Sequence, residues 1–220
     1  TGDLFTRLFG IGRVIAGIYL FVASICFILM TLSGTPVFDA FCLSLSGVAT
    51  GGMTPRSEDM FLYVPGLAAF VLAVTCALGA VNVSVLWDVL RMRNWRNTRR
   101  LLSNIEHRVL VIMGVSLTLI GLFYAGLQNI FPTFLEAIFF VSSAGFIYDP
   151  ISLEQIPSVI LISVALVGGA ALSTAGGLKV IRIILLFKHL GTDISRLSHP
   201  SRVLPVSFKL IPSRINAPKL

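Results

Sequence analysis

Charged side chains are scarce in this chain: Asp, Glu, Lys and Arg make up 12% of its 220 residues, against a hydrophobic fraction of 55%. With a mean hydropathy of +0.91, that balance excludes an ordinary water-soluble domain, in which roughly a quarter of the residues are charged. Cysteine and histidine are rare too, three of each. Cys26, Cys42 and Cys76 lack CxxC spacing, and His107, His189 and His199 are scattered. A disulfide framework and a His/Cys metal site are both excluded by that spacing. The cysteines read as small apolar residues and the histidines as surface groups. No nucleophile stands with a base inside an apolar run, which excludes an intramembrane enzyme. Gly176-Gly177-Leu178-Lys179 lacks the G-x-x-x-x-G-K-[ST] spacing, which excludes a phosphate-binding P-loop.

The basic residues that are present are unevenly placed. A formal net charge of +7 suits nucleic acid at first sight. However, Arg91, Arg93, Arg96, Arg99, Arg100 and Arg108 bracket one inter-helix segment, and Lys179, Arg182, Lys188, Arg196, Arg202, Lys209, Arg214 and Lys219 follow the last apolar run. Arg7 and Arg13 precede the first run, so only Arg56 lies elsewhere. Basic residues in alternate loops mark the cytoplasmic side of a multi-pass membrane protein. The expected partner of this charge is anionic lipid rather than nucleic acid, with Trp95 as an interfacial anchor.

Four apolar runs fit that topology: Val14 to Leu32, Phe61 to Trp87, Val109 to Leu127, and Ile156 to about Phe187. Asn82 and Ser84 read as groups that hydrogen-bond between helices. The chain starts at Thr1 with neither methionine nor a signal-peptide pattern, so a longer parent sequence is expected.

Between the first two runs, Ser33-Gly34-Thr35-Pro36 ends a helix, and Val37 to Gly47 then forms one of about three turns, too short to cross a bilayer. It runs into Ser46-Gly47-Val48-Ala49-Thr50-Gly51-Gly52-Met53-Thr54-Pro55. Such a stretch reads either as backbone lining a cavity at membrane depth or as an external Gly-rich turn after a surface helix. In the first case its carbonyl oxygens can replace the water around an alkali cation, and the C-terminal end of the short helix favours that cation.

After the third run the plan repeats. Pro132 begins a segment, Thr133 to Ser143, that leads into Ala144-Gly145-Phe146. Thr50-Gly51-Gly52-Met53 pairs with Ser143-Ala144-Gly145-Phe146, and Asp39 pairs with Glu136. Because Asp39 stands further from its glycines than Glu136 does, either the second short helix is about one turn shorter or the pairing of the acids slips. Internal repeats of this kind mark transport folds. The expected organisation is a span, pore helix, filter loop, span unit over 1–88, a cytoplasmic basic loop over 89–108, a second such unit with a broken last helix over 109–190, and a basic tail over 191–220 leading towards a further unit.

Asp39, Glu58, Asp59, Glu136, Asp149 and Glu154 fall on the external side, as a mouth that concentrates cations or as ordinary solvated carboxylates. The last run is interrupted by Gly168-Gly169-Ala170-Ala171-Leu172-Ser173-Thr174-Ala175-Gly176-Gly177. Two glycine pairs predict a broken helix beside a cavity, with close packing of small residues as the other reading. Lys179 reaches either the inner cavity or, with Arg182 and Lys188, the cytoplasmic face, and snorkelling to that face is the preferred expectation.

Phe38-Asp39-Ala40, then Ser46 to Met53, Ser173-Thr174-Ala175-Gly176-Gly177-Leu178-Lys179-Val180-Ile181-Arg182 and His199-Pro200-Ser201-Arg202, resemble in that order the membrane subunit of the Trk/Ktr/HKT superfamily of potassium transport proteins, closest to the bacterial Trk type. The resemblance extends over nearly the whole chain. It implies four span, pore-helix, span units arranged like a potassium channel, of which this chain carries the second, the third and the lead into the fourth. It implies filter strands at Thr50, Gly51, Gly52 and at Ser143, Ala144, Gly145, with K+ held there, and a gate loop containing Gly168, Gly169, Ser173, Thr174, Gly176 and Gly177. It implies no covalent cofactor, a homodimer, cytosolic nucleotide-binding regulatory subunits of Rossmann type, and a bacterial inner membrane. The chain departs from the family at Met53, where an aromatic is usual, at Ala175, where a third glycine is common, and over Ser142 to Phe146, which lacks threonine. Two strands cannot enclose a fourfold pore, so further units must come from flanking sequence or a second chain.

The expected fold class is therefore an all-α polytopic membrane protein built of repeated helix, re-entrant pore helix, filter loop and helix units. The expected function is uptake of K+, with Na+ not distinguished, through a backbone-carbonyl filter above a Gly-rich gate. The alternative is a non-conducting membrane scaffold or regulatory subunit whose glycine loops serve helix packing.

Overall fold

The computed structural model describes residues 2–84, 86 and 104–198, and no strand occurs among them. The basic segment Arg91 to Arg100 with Trp95, the C-terminal end of the second apolar run and the tail from 199 onward, including His199, lie outside the described residues. The chain divides into two compact units, Thr1–Ile183 and Ile184–Leu220. Both short segments with their glycine turns, 37–53 and 132–146, lie in the first. The described part of the second continues an amphipathic helix.

Helix α1, Gly2–Leu32, includes a membrane-length stretch, Phe9–Leu32, of 24 residues with a hydropathy of 2.5. At about 1.5 Å per residue this exceeds the roughly 30 Å of hydrocarbon. Gly34 stops the helix at φ 95°. Its N–H donates to Thr31 O at 3.1 Å and that of Thr35 to Met30 O at 3.2 Å, a Schellman closure in which glycine supplies the left-handed residue. Pro36 then starts α2, Val37–Val48.

The second apolar run is not one helix. A short α3, Met60–Tyr63, precedes α4, Gly66–Ala80, because Pro65 forces extended backbone on Val64. At Val81 the backbone turns extended again, with ψ 152°. Helical backbone resumes at Val83 and Ser84, and the Asn82 side chain accepts from Ser84 N–H at 3.0 Å as an N-cap. The Asn82 side chain thus caps its own helix, and the bond to another helix is made by its main-chain N–H, to His107.

Helix α5, Ile105–Ala125, is the second element of membrane length, 21 residues with a hydropathy of 2.0. Gly126 and a 3-10 turn, Leu127–Asn129, lead into α6, Ile130–Val141. Pro132 lies within its first turn, where the missing N–H costs nothing. Helices α2 and α6 are each 12 residues long, so the second is not shorter. Counting back from Thr50 and Ser143, Glu136 stands opposite Leu43 and Asp39 opposite Pro132: the pairing of the two acids was the error. After α7, Pro150–Glu154, and α8, Ser158–Val167, the backbone leaves helix until α9, Val180–Ser198.

The core lies around α4, which packs against α1, α2 and α6. Small side chains permit this: Ala68, Ala69, Ala73 and Cys76 are buried beside Leu72, Leu43, Met30, Leu135 and Phe139. A methyl group on Gly47 of α2 would stand 2.7 Å from Leu72 Cδ1. Cys26 and Cys76 are buried as expected, while Cys42 is half-buried. The long helices turn apolar faces outward instead, Phe9 being 70% and Phe123 84% exposed. Such faces are stable against lipid and not against water.

Candidate ion pathway

The two short helices end alike in one closing bond and differ by a residue in the other. Thr50 N–H donates to Gly47 O (3.1 Å) and Ser143 N–H to Phe140 O (3.0 Å), whereas Gly51 N–H donates to Ser46 O (2.8 Å) and Gly145 N–H, one place further along, to Phe139 O (3.0 Å). The residue at each left-handed position is not glycine but Thr50, at φ 50°, and Ser143, at φ 57°. This conformation costs an L-residue about 1–2 kcal/mol, and a β-branched threonine there is a true outlier. Strain of this kind persists where surrounding structure imposes it, commonly at functional sites. Two residues on, Gly52 (φ 68°) and Gly145 (φ 71°) are left-handed in turn. The alternation from right-handed to left-handed backbone turns the main chain of both loops out of helical register.

The loops meet. A Cβ placed on Gly52 would overlap the carbonyl oxygen of Ala144, so only glycine lets the two main chains approach so closely. Ser46 Oγ accepts from Met53 N–H at 2.9 Å and holds the first turn closed. Phe146 is buried against Phe139, with ring centroids 5.4 Å apart, and holds the second. Met53, at the matching position, is 73% exposed.

Above the glycines lies a cavity of about 400 Å³ lined by Gly52, Gly145, Arg56, Glu58, Asp59 and Glu154 among others. Three of the six acids expected at an external mouth therefore line one opening together with Gly52 and Gly145. Asp39 and Glu136 do not. Asp39 is buried and paired with Arg56 at 2.7 Å. That hydrogen-bonded carboxylate raises the Arg56 pKa above its ordinary value. The Glu136 carboxylate is buried and accepts from Asp149 N–H at 3.1 Å.

The glycine-rich stretch between α8 and α9 folds into a compact loop. Leu178 N–H donates to Leu166 O (2.7 Å) and Val180 N–H to Gly169 O (3.2 Å), closing its base. A Cβ on Gly168 would overlap Gly176 O, and one on Gly177 would come within 2.7 Å of Leu166 O. The loop is braced on its surroundings: Ala170 N–H donates to Ala80 O at 3.0 Å, Thr174 N–H to Gly79 O at 3.1 Å, and Gly176 N–H to Ser143 Oγ at 2.6 Å. The Thr174 hydroxyl lies 2.8 Å from Val48 O and 3.0 Å from Gly79 O. The break after α4 supplies Gly79 O and Ala80 O, and the end of α2 supplies Val48 O, since the last carbonyls of a helix have no partner within it. The loop thus touches Ser143 of the second turn and the helix end that carries the first.

Two residues that hold this region were missed in the sequence. Glu106 accepts from Ala171 N–H at 3.0 Å; an acid beside a strongly basic segment was the available signal. His107, expected at the surface, is 6% exposed, and its Nε2 accepts from Asn82 N–H at 3.3 Å. An imidazole at a helix break satisfies an N–H that the broken ladder leaves over. Lys179 points into the loop instead of snorkelling outward, with Nζ 3.2 Å from Ser173 O. No cluster of His, Cys, Asp or Glu suited to a metal occurs among the described residues.

The family model for TrkH, a cation transport protein, matches residues 7–210. The chain belongs to the TrkH family. Among TrkH relatives it is 28% identical over 206 residues to the Trk system potassium uptake protein TrkH of Salmonella typhimurium, covering 90% of this chain and 43% of that protein. It is 27% identical over 220 residues to the Trk system potassium uptake protein TrkG of Escherichia coli, covering 95% and 44%. The crystal structure of the potassium transporter TrkH from Vibrio parahaemolyticus aligns with a TM-score of 0.77 at 25% identity, covering 95% of this chain and 47% of that one. The chain therefore spans less than half the length of these TrkH-family proteins. Membership agrees with the expected all-α polytopic membrane fold and with a transporter family rather than an enzyme.

Proposed function

We propose that this chain supplies two adjacent walls of a potassium pathway in a bacterial Trk-type uptake protein. Thr50, Gly51 and Gly52 form one filter strand and Ser143, Ala144 and Gly145 another, and K+ moves inward between them and their counterparts in the rest of the protein. The observation that carries this reading is the pair of strained left-handed residues after two equal short helices, with the glycine turns in main-chain contact. Helix C-terminal ends aimed at the turns favour a cation, and carbonyl oxygens can take the place of its hydration shell. The cavity with Glu58, Asp59 and Glu154 concentrates cations at the outer end. The loop containing Gly168, Gly169, Ser173, Thr174, Gly176 and Gly177 is the gate on the inner end.

In this reading the basic segment over 89–108 and the tail over 191–220 face the cytoplasm of an inner-membrane protein. They contact anionic lipid and cytosolic nucleotide-binding subunits, in a homodimeric assembly. Oxygen ligands suit K+ and Na+ alike as hard cations, and competition by Na+ measures the preference. The test is rubidium uptake by cells carrying the full-length protein with Gly52→Asp. Uptake is expected to vanish while membrane insertion stays normal. Unchanged uptake by well-inserted protein would overturn the filter assignment in favour of a non-conducting scaffold.

A further inference from the structure

Lys179 closes the loop that ends at Gly177 and folds back into it. Its ammonium lies 3.2 Å from Ser173 O and 3.3 Å from Ser173 Oγ, and it hydrogen-bonds Ala175 O. An ammonium has three donors and no acceptor, and here three oxygens of a single turn of chain surround it. The Ser173 hydroxyl donates its own proton to Ala170 O at 2.6 Å, so it presents lone pairs to the lysine. The amides of Ala170, Ala171, Thr174 and Gly176 are bonded outside the loop, to Ala80, Glu106, Gly79 and Ser143. The carbonyls of Ser173 and Ala175 take theirs from Lys179.

We propose that Lys179 is a tethered cation that locks this loop. Its ammonium fills an oxygen cage of the kind that would otherwise hold a monovalent metal ion, and so keeps the loop pressed on Ser143 and the end of α2. The proposal rests on the gate reading above. Charge-assisted hydrogen bonds are about twice as strong as neutral ones, so a neutral side chain leaves two part-buried carbonyls unanswered and the loop loosened. A fixed positive charge at the inner end of the turns also repels cations. Both effects have the same sign: removing the ammonium raises flux. Lys179 is thus a positioning residue for the gate and not a filter ligand.

The experiment compares rubidium flux in proteoliposomes for the full-length protein, Lys179→Met, Lys179→Arg, Gly52→Asp and the Lys179→Met/Gly52→Asp double variant. Lys179→Met is expected to raise basal flux about fivefold or more, Lys179→Arg to fall between it and the parent, and the double variant to be silent. Hydrogen exchange at residues 169–176 is expected to speed up in Lys179→Met. Misfolding lowers flux, so a rise cannot come from damaged protein. Where Lys179→Met does not insert, Lys179→Gln is expected to show the same rise. Flux unchanged or lowered in inserted Lys179→Met or Lys179→Gln, with Gly52→Asp silent, overturns the lock and leaves the filter reading standing. Flux unaffected by Gly52→Asp overturns both.

Discussion

In the first repeat the acid that ties the outgoing strand to its short helix is Asp39, in the first turn of α2, and its partner is a side chain, Arg56, at 2.7 Å. In the second the acid is Glu136, one turn deeper in α6, and its partner is the main-chain N–H of Asp149 at 3.1 Å. Register places Asp149 itself opposite Arg56. The two repeats therefore keep a tether between pore helix and outgoing strand while exchanging the residues that make it. They differ in exposure as well: the Arg56 side chain is 42% exposed, whereas Glu136 is 1% exposed. Both acids are buried; the first tether reaches out to a half-exposed side chain and the second to a part-buried main-chain N–H.

The largest effect is expected where the two repeats meet. Gly52→Ala drives a methyl group into Ala144 O, and rubidium flux by the full-length protein is expected to fall at least about tenfold. Unchanged flux would mean that the two turns do not pack this closely. The tethers come next. Arg56→Ala leaves the Asp39 carboxylate, 3% exposed, without its counter-charge and is expected to lower stability more. Asp39→Ala leaves Arg56 to water and is expected to lower it less. Thermal unfolding in detergent should rank them in that order, and the reverse order would show that Asp39 is not the buried partner.

Glu136→Leu copies the first repeat's residue into the second but strips the acceptor from Asp149 N–H, a cost of about 1–3 kcal/mol. A midpoint no lower than the parent's would remove Glu136 from the tether. The smallest contrast is Thr50→Gly against Ser143→Gly. Glycine relieves about 1 kcal/mol of left-handed strain at either site, but at Ser143 it also removes the acceptor of Gly176 N–H. Thr50→Gly is expected to raise the unfolding midpoint and Ser143→Gly to leave it unmoved or lower.

The glycine turns and the two short helices were legible in the sequence because they interrupt it: Pro36, Gly34 and Pro132 bound segments too short to cross a bilayer, and Thr50 to Gly52 and Ser143 to Gly145 stand at their ends. The register of the acids was not legible. Asp39 and Glu136 were matched by charge, but position on a helix is set by where its cap falls, and the caps are Ala49 and Ser142. The breaks in the second apolar run were hidden because hydropathy measures transfer to lipid and is blind to helix continuity; Val81 is as apolar in extended backbone as in helix. Lys179 and His107 were misjudged because a polar group near the end of an apolar run satisfies the same pattern whether it turns outward or folds back. Only the loop's unanswered carbonyls, and one amide left over at a break, decide the direction.

The carbonyls of Gly79 and Ala80 have one further consequence. They are answered by Thr174 and Ala170 rather than by the next turn of their own helix. Lifting those two residues away therefore bares main-chain oxygens, and apolar surroundings offer nothing to replace the lost donors. Displacement becomes affordable only when solvent follows it in. In the proposed gate, wetting of the space that the loop leaves and departure of the loop are thus a single event, and dehydrating osmolytes are expected to slow rubidium uptake by the full-length protein.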